Sequence, residues 1–195
     1  TSGIGLEEVG VEMERGKIKV NDKMETNVNG IYAIGDVTGE WLLAHVASVE
    51  GEVAVANILG KDKKMDYSCI PAGIFTDPEI ASVGLKEKEA KEQGIEVSVG
   101  RFPYAGSGKA LGMGESDGFV QVVADPKTDK VLGASIVGAH ATDLIGELAL
   151  AMRHGITVKE VTETVHAHPT LPEVVLEACE DVHGAAVHKV GRKRR

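Results

Sequence analysis

The chain has few aromatic residues, few cysteines and no long hydrophobic run. Aromatic side chains make up 4% of the 195 residues, so the core has to be built from aliphatic side chains. Cys69 and Cys179 are too few for a disulfide framework and fit neither a CxxC nor a four-ligand zinc pattern. We expect both to be small buried hydrophobic residues in a reducing compartment, the cytoplasm. No apolar run approaches the ~20 residues of a membrane span.

An excess of positive charge is also missing. The net charge is −9, although five of the last seven residues, 189–195, are basic. The acidic body of the chain argues against a nucleic-acid partner. The basic end is typical of a disordered tail. The start at Thr1, without a methionine, predicts a piece of a longer protein.

Glycine is abundant, with 24 residues, and it marks the turns of the first third of the chain. A strand is predicted at 16–20, after a turn at Arg15-Gly16. The apolar run Ile31-Tyr-Ala-Ile-Gly-Asp36 predicts a buried strand that ends in a carboxylate. In open α/β sheets ligands bind at the carboxyl ends of strands, so Asp36 is placed to meet a ligand hydroxyl. An Asp after a strand is, however, more often a turn or cap residue.

A helix is predicted from Leu42 to about Gly60. Its apolar positions are Leu42, Val46, Val49 and Val53, whereas Glu50 and Glu52 are expected on its solvent side. A set of small residues would let another backbone approach closely: Ala44, Ala47, Ser48, Gly51 and Ala54. The N–H groups at the start of this helix could hold an anion or a carbonyl oxygen.

A charged linker predicts a domain boundary near Met65, and beyond it strands are followed by helices. This order is typical of an α+β domain. The glycines of segment 106–114 lack the strand–turn–helix context of a dinucleotide loop and predict a flexible or bulged loop. A last helix is predicted from Leu171 to about Val187.

The segment His166-Ala-His168-Pro-Thr-Leu-Pro-Glu173 supports two interpretations. A carboxylate that binds one ring N–H of a histidine fixes its tautomer and raises the basicity of the other nitrogen, which makes a general base. Thr170 and Glu173 also have the spacing of a capping box that begins a helix. Composition alone favours the capping box.

Several segments, in this order, resemble the pyridine nucleotide–disulfide oxidoreductases. Segments 31–36 and 42–45 resemble the second flavin-contacting motif of that family, and Thr76-Asp-Pro-Glu-Ile-Ala-Ser-Val-Gly84 resembles part of its dimerisation domain. His-Pro-Thr-Leu-x-Glu at 168–173 resembles its C-terminal signature, most of all in the dihydrolipoamide dehydrogenase branch. Pro172 departs from the small polar residue usual at that position. The resemblance runs from Gly3 to about Val187.

The resemblance implies both the fold and the site residues. Residues 1–65 would be the end of a central FAD-contacting α/β region, and residues 66–188 an antiparallel-sheet interface domain for dimerisation. His168 would be the general base, Glu173 would orient it, and the His168–Pro169 peptide bond would be cis. The implied FAD contacts are Asp36, Leu42, Leu43, Ala44 and His45.

The resemblance also implies a reaction and partners. Two electrons would pass from dihydrolipoamide through an active-site disulfide and FAD to NAD. The enzyme would be a homodimer in which His168 serves the disulfide of the partner subunit. A further partner would be the lipoyl-bearing acyltransferase of a 2-oxo-acid dehydrogenase complex, or the glycine cleavage system. The Gly-rich fingerprints and the Cys-x4-Cys pair of the family are not in the sequence, so we expect the chain alone to catalyse nothing.

Three alternatives stay open. The chain could come from a sibling such as glutathione reductase, mercuric reductase or a transhydrogenase, although its ending lacks the reactive cysteine pair of mercuric reductase. A metal site could form from His166 and His168 with Cys179 or His183, but the pattern offers too few ligands and no metal is predicted. The chain could also be a dimerisation module without chemistry of its own.

Overall fold

A computed structural model describes residues 1–189, and it divides into two compact units. The first comprises Thr1–Tyr67 and the second begins at Ser68, close to the boundary predicted near Met65. No helix within the described residues is long and apolar enough to cross a membrane. The predicted basic tail lies outside the described residues from position 190 onward. Lys189 is described, and its Nζ donates to Asp181 Oδ2 at 2.6 Å.

The first unit contains a short hairpin and one long helix. Strands β1 (Met13–Glu14) and β2 (Lys17–Ile18) pair antiparallel. The predicted turn between them is confirmed: Arg15 and Gly16 have φ values of 52° and 82°, as a two-residue hairpin turn of the type I′ class requires. The helix α1 spans Ala44–Ile58.

The segment predicted as a buried strand, 31–36, does not form one. Tyr32 makes a single antiparallel bridge to Glu25, and the Ala33 N–H donates to Met24 O at 3.1 Å. A 3-10 turn then runs from Gly35 to Thr38. The ladder stops here because the Gly35 N–H donates to a side chain, Glu50 Oε2, at 2.6 Å.

The second unit is built on a five-stranded antiparallel sheet of order β3-β4-β7-β6-β5. Its strands are β3 (Ala72–Ile74), β4 (Ile80–Gly84), β5 (Ser98–Pro103), β6 (Phe119–Ala124) and β7 (Val131–Val137). Five helices accompany them: α2 (Glu87–Glu92), α3 (Gly108–Met113), α4 (Ala141–His154), α5 (Val158–Glu163) and α6 (Pro172–Val182). The predicted α+β class is therefore confirmed.

One face of this sheet forms the core. The register places Val83 opposite Ala134, and Val120 opposite both Ile136 and Phe102, and all five are buried. The helices α4 and α6 pack on the sheet and bury aliphatic side chains such as Leu148 and Val175 completely. This packing fixes the start of α6, where Glu173 lies.

Two element predictions were wrong in the second unit. Segment 106–114 is not an open loop: α3 forms there because the Ser107 hydroxyl accepts the Ala110 N–H at 3.3 Å, and Gly114 ends the helix at φ 77°. The last helix ends at Val182 instead of Val187. Gly184 takes φ 69°, and the Val187 N–H donates to Glu177 Oε2 at 3.0 Å, so the chain turns back on the helix.

Candidate functional site

The predicted contact between His168 and Glu173 is present. His168 Nδ1 lies 2.8 Å from Glu173 Oε1, and the His168–Pro169 bond is cis, as predicted. The His168 side chain is 79% exposed and that of Glu173 is 28% exposed. No residue within 1–189 makes a hydrogen bond to His168 Nε2. The ring is thus held by one nitrogen and open to a reactant at the other.

The same carboxylate also begins the last helix. Glu173 Oε2 accepts the Thr170 N–H at 2.8 Å, which is half of the predicted capping box. The other half was wrong, because the Thr170 hydroxyl donates to Ala167 O at 2.5 Å instead of capping the helix. One side chain therefore makes both contacts: Glu173 Oε1 binds the His168 ring, and Glu173 Oε2 accepts the N–H at the start of the helix.

The surroundings of Glu173 keep it ionised. Burial acts to raise its pKa, but the Thr170 N–H and the His168 ring together outweigh burial and lower the pKa below its ordinary value. A carboxylate that stays charged at neutral pH accepts the Nδ1 proton of His168 and stabilises the protonated ring.

The neighbouring His166 has a different environment. Its side chain is 5% exposed, Nε2 lies 2.9 Å from Glu147 Oε1 on α4, and Nδ1 lies 2.8 Å from Thr164 O. His166 therefore anchors the loop before His168 instead of sharing a ligand with it. Within the described residues, no group of three His, Cys, Asp or Glu side chains could hold a metal ion.

The two cysteines differ in burial. Cys179 is completely buried in the core of the second unit, and this burial raises the pKa of its thiol, so it is the small hydrophobic residue that was predicted. Cys69 is only partly buried. Neither cysteine forms a disulfide in the part of the chain that the structure describes.

The residues predicted to contact FAD lie together in the first unit. Asp36 is exposed in the 3-10 turn, and Leu42, Ala44 and His45 are exposed around the start of α1, with Leu43 half-buried at the N-cap. The turn lies close to the helix, because a Cβ added to Gly35 would be 3.1 Å from Ala47 Cβ. The small residues of α1 thus allow the close approach that was predicted.

This surface suits the polyol and polar groups of a flavin nucleotide. Leu43 caps α1 without a side-chain hydrogen bond, and the first turn of α1 contains no acidic residue, so its N–H dipoles favour an acceptor or an anion. The exposed Asp36 carboxylate beside it can accept hydroxyl protons.

One pair of residues at this surface was missed. Glu50, predicted on the solvent side, is 0% exposed, and its Oε1 accepts the Tyr67 hydroxyl proton at 2.7 Å. The helical spacing contained the signal, because Glu50 lies four residues after Val46 and three before Val53, and both valines are buried. Val49, predicted on the apolar side, is 42% exposed.

An antiparallel sheet covered by helices, with a histidine–carboxylate pair at the start of the last helix, defines a dimerisation domain of the flavoprotein disulfide reductase class. Residues 70–179 match the family described as pyridine nucleotide-disulphide oxidoreductase, dimerisation domain, and residues 1–51 match pyridine nucleotide-disulphide oxidoreductase. The chain belongs to the pyridine nucleotide–disulphide oxidoreductase family.

Within this family, the chain is similar to curated dihydrolipoyl dehydrogenases. The chain is 52% identical over 178 residues to dihydrolipoyl dehydrogenase of Chlamydia pneumoniae, which covers 91% of the chain and 39% of that relative. It is 45% identical to dihydrolipoyl dehydrogenase of Bacillus subtilis, over 97% of the chain and 41% of that relative. The crystal structure of LpdA from Mycobacterium tuberculosis matches with a TM-score of 0.87 at 33% identity, covering 92% of the chain and 40% of LpdA. The chain thus spans about two fifths of the length of these relatives.

Proposed function

We propose that this chain is the C-terminal part of a dihydrolipoyl dehydrogenase, the flavoprotein that oxidises protein-bound dihydrolipoamide. The observation that carries the proposal is the His168–Glu173 pair, with Nδ1 bound and Nε2 open. The high identity to dihydrolipoyl dehydrogenases, across nearly the whole chain, supports it.

In this proposal His168 is the general base. Nε2 would take a proton from a substrate thiol, and the thiolate would attack the active-site disulfide of the partner subunit, forming a mixed disulfide and releasing one enzyme thiolate. The second substrate thiol would then displace the other enzyme sulfur, which leaves the lipoyl group oxidised and the enzyme pair reduced. Glu173 keeps the Nδ1 proton in place and stabilises the imidazolium that forms. Bound FAD would pass the two electrons on to NAD+.

The remaining assignments follow from the same proposal. Asp36, Leu42, Leu43, Ala44 and His45 would contact FAD, residues 1–65 would complete the central region, and residues 66–188 would form the interface of a homodimer. His168 would serve the disulfide of the partner subunit. The lipoyl group would come from the acyltransferase of a 2-oxo-acid dehydrogenase complex or from the glycine cleavage system, in the cytoplasm.

The test is NADH production from dihydrolipoamide by the full-length polypeptide that contains this chain. We expect His168→Gln to lower turnover by several powers of ten, since the thiol must then ionise unaided. Glu173→Gln should cost less, because the amide oxygen still accepts a hydrogen bond. His183→Gln is the matched control: His183 pairs with Asp129, away from the proposed base, and its loss should leave turnover unchanged.

The chain alone should produce no NADH, even with added FAD. Turnover by the isolated 195 residues would contradict the proposal, because the chemistry would then come from residues described here as structural. Full activity of the full-length His168→Gln variant would contradict the role of His168. Activity only with an oxidised glutathione substrate would favour the glutathione reductase alternative.

A further inference from the structure

The buried carboxylate of Glu50 connects the two parts of the surface that we propose for FAD. We propose that Glu50 and Tyr67 are positioning residues for this surface: Glu50 fixes the turn that carries Asp36, and Tyr67 fixes the side chain that precedes Leu42. The inference rests on the proposed function and goes beyond the five contact residues named there.

Glu50 is buried in an unusual way for its residue type. Its side chain is 0% exposed, although a carboxylate is expensive to bury unless its oxygens are well hydrogen-bonded. The carboxylate is stabilised by two short hydrogen bonds from neutral donors, one to each oxygen.

The first of these bonds holds the Asp36 turn. Glu50 Oε2 accepts the Gly35 N–H at 2.6 Å, and the Thr38 hydroxyl donates to Gly35 O at 2.8 Å. Both polar groups of the Gly35 backbone are therefore bound at the residue before Asp36. Because Gly35 N–H has no strand partner, Glu50 sets where this turn begins and where the Asp36 carboxylate emerges.

The second bond holds the entry to helix α1. Glu50 Oε1 accepts the Tyr67 hydroxyl proton at 2.7 Å, and the Tyr67 ring stacks on Trp41 with centroids 6.2 Å apart and planes 6° apart. Trp41 is directly followed by Leu42, so the stack orients the chain that enters the helix start. Burial raises the pKa of Tyr67 most, and the hydrogen bond to Glu50 raises it further. The phenol therefore remains a donor at neutral pH.

An apolar side chain at position 50 could be buried without the free-energy cost of removing a carboxylate from water. Replacing buried ionic or polar groups by apolar ones of similar volume is often neutral for stability, and the benefit of keeping them is a specified geometry. At Glu50 that geometry belongs to Asp36, which is one of the proposed flavin contacts, and to Trp41, which directly precedes the other four.

The experiment compares four substitutions in the full-length protein by the dissociation constant for FAD, measured by the quenching of flavin fluorescence on adding back FAD to apoprotein. We expect Glu50→Ala to raise the dissociation constant at least tenfold. Glu50→Gln should raise it less than threefold, because the amide oxygen can accept the Gly35 N–H and the amide nitrogen can donate to the Tyr67 oxygen. Tyr67→Phe should give an intermediate effect.

Glu52→Ala is the matched control. Glu52 lies on the same helix, is 70% exposed and pairs with Lys63 at 3.3 Å, so its loss should leave the dissociation constant unchanged. Unchanged affinity in both Glu50→Ala and Tyr67→Phe, with each variant folded, would overturn the inference. If Glu50→Ala does not fold, Tyr67→Phe with wild-type affinity decides against it in the same way.

A second readout is independent of FAD. Trp41 is the single tryptophan of the 195-residue chain. In full-length protein with every tryptophan outside this chain replaced by phenylalanine, its emission and anisotropy report directly on the stack. Tyr67→Ala and Glu50→Ala should lower the anisotropy of Trp41, and Glu52→Ala should not. If the wild-type full-length protein binds no FAD, the proposed function and the flavin role of Glu50 both fail. If it binds FAD while Trp41 is insensitive to Glu50→Ala, only the positioning role fails.

Discussion

Glu173 has two contacts, and a second capping glutamate in the chain allows them to be separated. Glu160 at the start of α5 accepts the Thr157 N–H at 2.7 Å, as Glu173 accepts the Thr170 N–H, but no histidine is bound to it. We expect Glu160→Ala and Glu173→Ala each to lower the free energy of unfolding by about 1 kcal/mol, the usual cost of a lost cap. Only Glu173→Ala should also lower turnover of the full-length enzyme.

Chemical denaturation and the dihydrolipoamide assay measure the two effects on the same samples. Equal turnover in both alanine variants would mean that Glu173 does no more than begin the helix.

The contact between His166 and Glu147 can be tested by removing the Glu147 carboxylate. Glu147→Ala would leave its nearly buried Nε2 without the carboxylate at 2.9 Å, and an unsatisfied buried polar group costs about 1–3 kcal/mol. We expect a loss of that size in the free energy of unfolding. Asp143→Ala on the same helix is the control, because Asp143 is 78% exposed, and its loss should change stability by less than about 0.5 kcal/mol.

The helix α6 packs closely on strand β5. A Cβ at Gly100 would be 2.1 Å from Ala178 O and 2.5 Å from Val182 N, so Gly100→Ala has to push the last helix away from the sheet. We expect a loss of about 1–3 kcal/mol in unfolding free energy, typical of overpacking. The shift would also move Glu173, because it lies on the same helix.

The control for this change is Gly146→Ala. Gly146 lies inside α4 with nothing within 4 Å of the added methyl group, and an alanine in a helix interior is favoured over glycine by about 1 kcal/mol. The midpoint temperature of thermal unfolding should therefore fall for Gly100→Ala and rise for Gly146→Ala. A loss of stability in both variants would point to a general intolerance of the fold instead of the close contact at β5.

The sequence allowed prediction of elements whose signals are local. The turn at Arg15-Gly16 was predicted because it contains Gly16, which readily takes the positive φ found there. The pair of His168 and Glu173 was predicted because both residues lie within one short segment that resembles the C-terminal signature of the family, whereas composition alone favoured the capping box. In each case the partners are only a few residues apart, so the signal is local.

The features that were missed depend on contacts between distant residues. The spacing of Glu50 from Val46 and Val53 indicates that it is buried, but its partners lie 15 and 17 positions away, and helical periodicity does not show which donors would bind its carboxylate. The strand predicted at 31–36 failed for the same reason, because Glu50 takes the Gly35 N–H from the ladder. For α3, the prediction gave more weight to the many glycines than to Ser107, although serine is a favoured residue at the N-cap of a helix.

For the whole chain, the exposed apolar side chains of the second unit bear on association. Val165 is 95% exposed, Phe75 is 83% exposed and Leu150 is 59% exposed, and large exposed apolar patches mark protein–protein interaction sites. As part of the proposed function we expect two-fold pairing through this unit, which sedimentation at micromolar concentration would detect.

Val165→Asp should weaken that pairing if the loop before His168 lies in the interface, and Val9→Asp in the first unit, 54% exposed in the wild type, should not. A monomer at all concentrations would show that the contacts of this unit do not suffice for pairing.

The first turn of α6 has one more consequence, because Glu173 holds both the helix end and the His168 ring. Helix ends open at lower free energy than the core does. Warming should therefore release Thr170 and His168 from Glu173 together, while the sheet and the buried part of α6 remain intact. Under the proposed function, proton transfer would then slow reversibly below the melting temperature, before the domain unfolds.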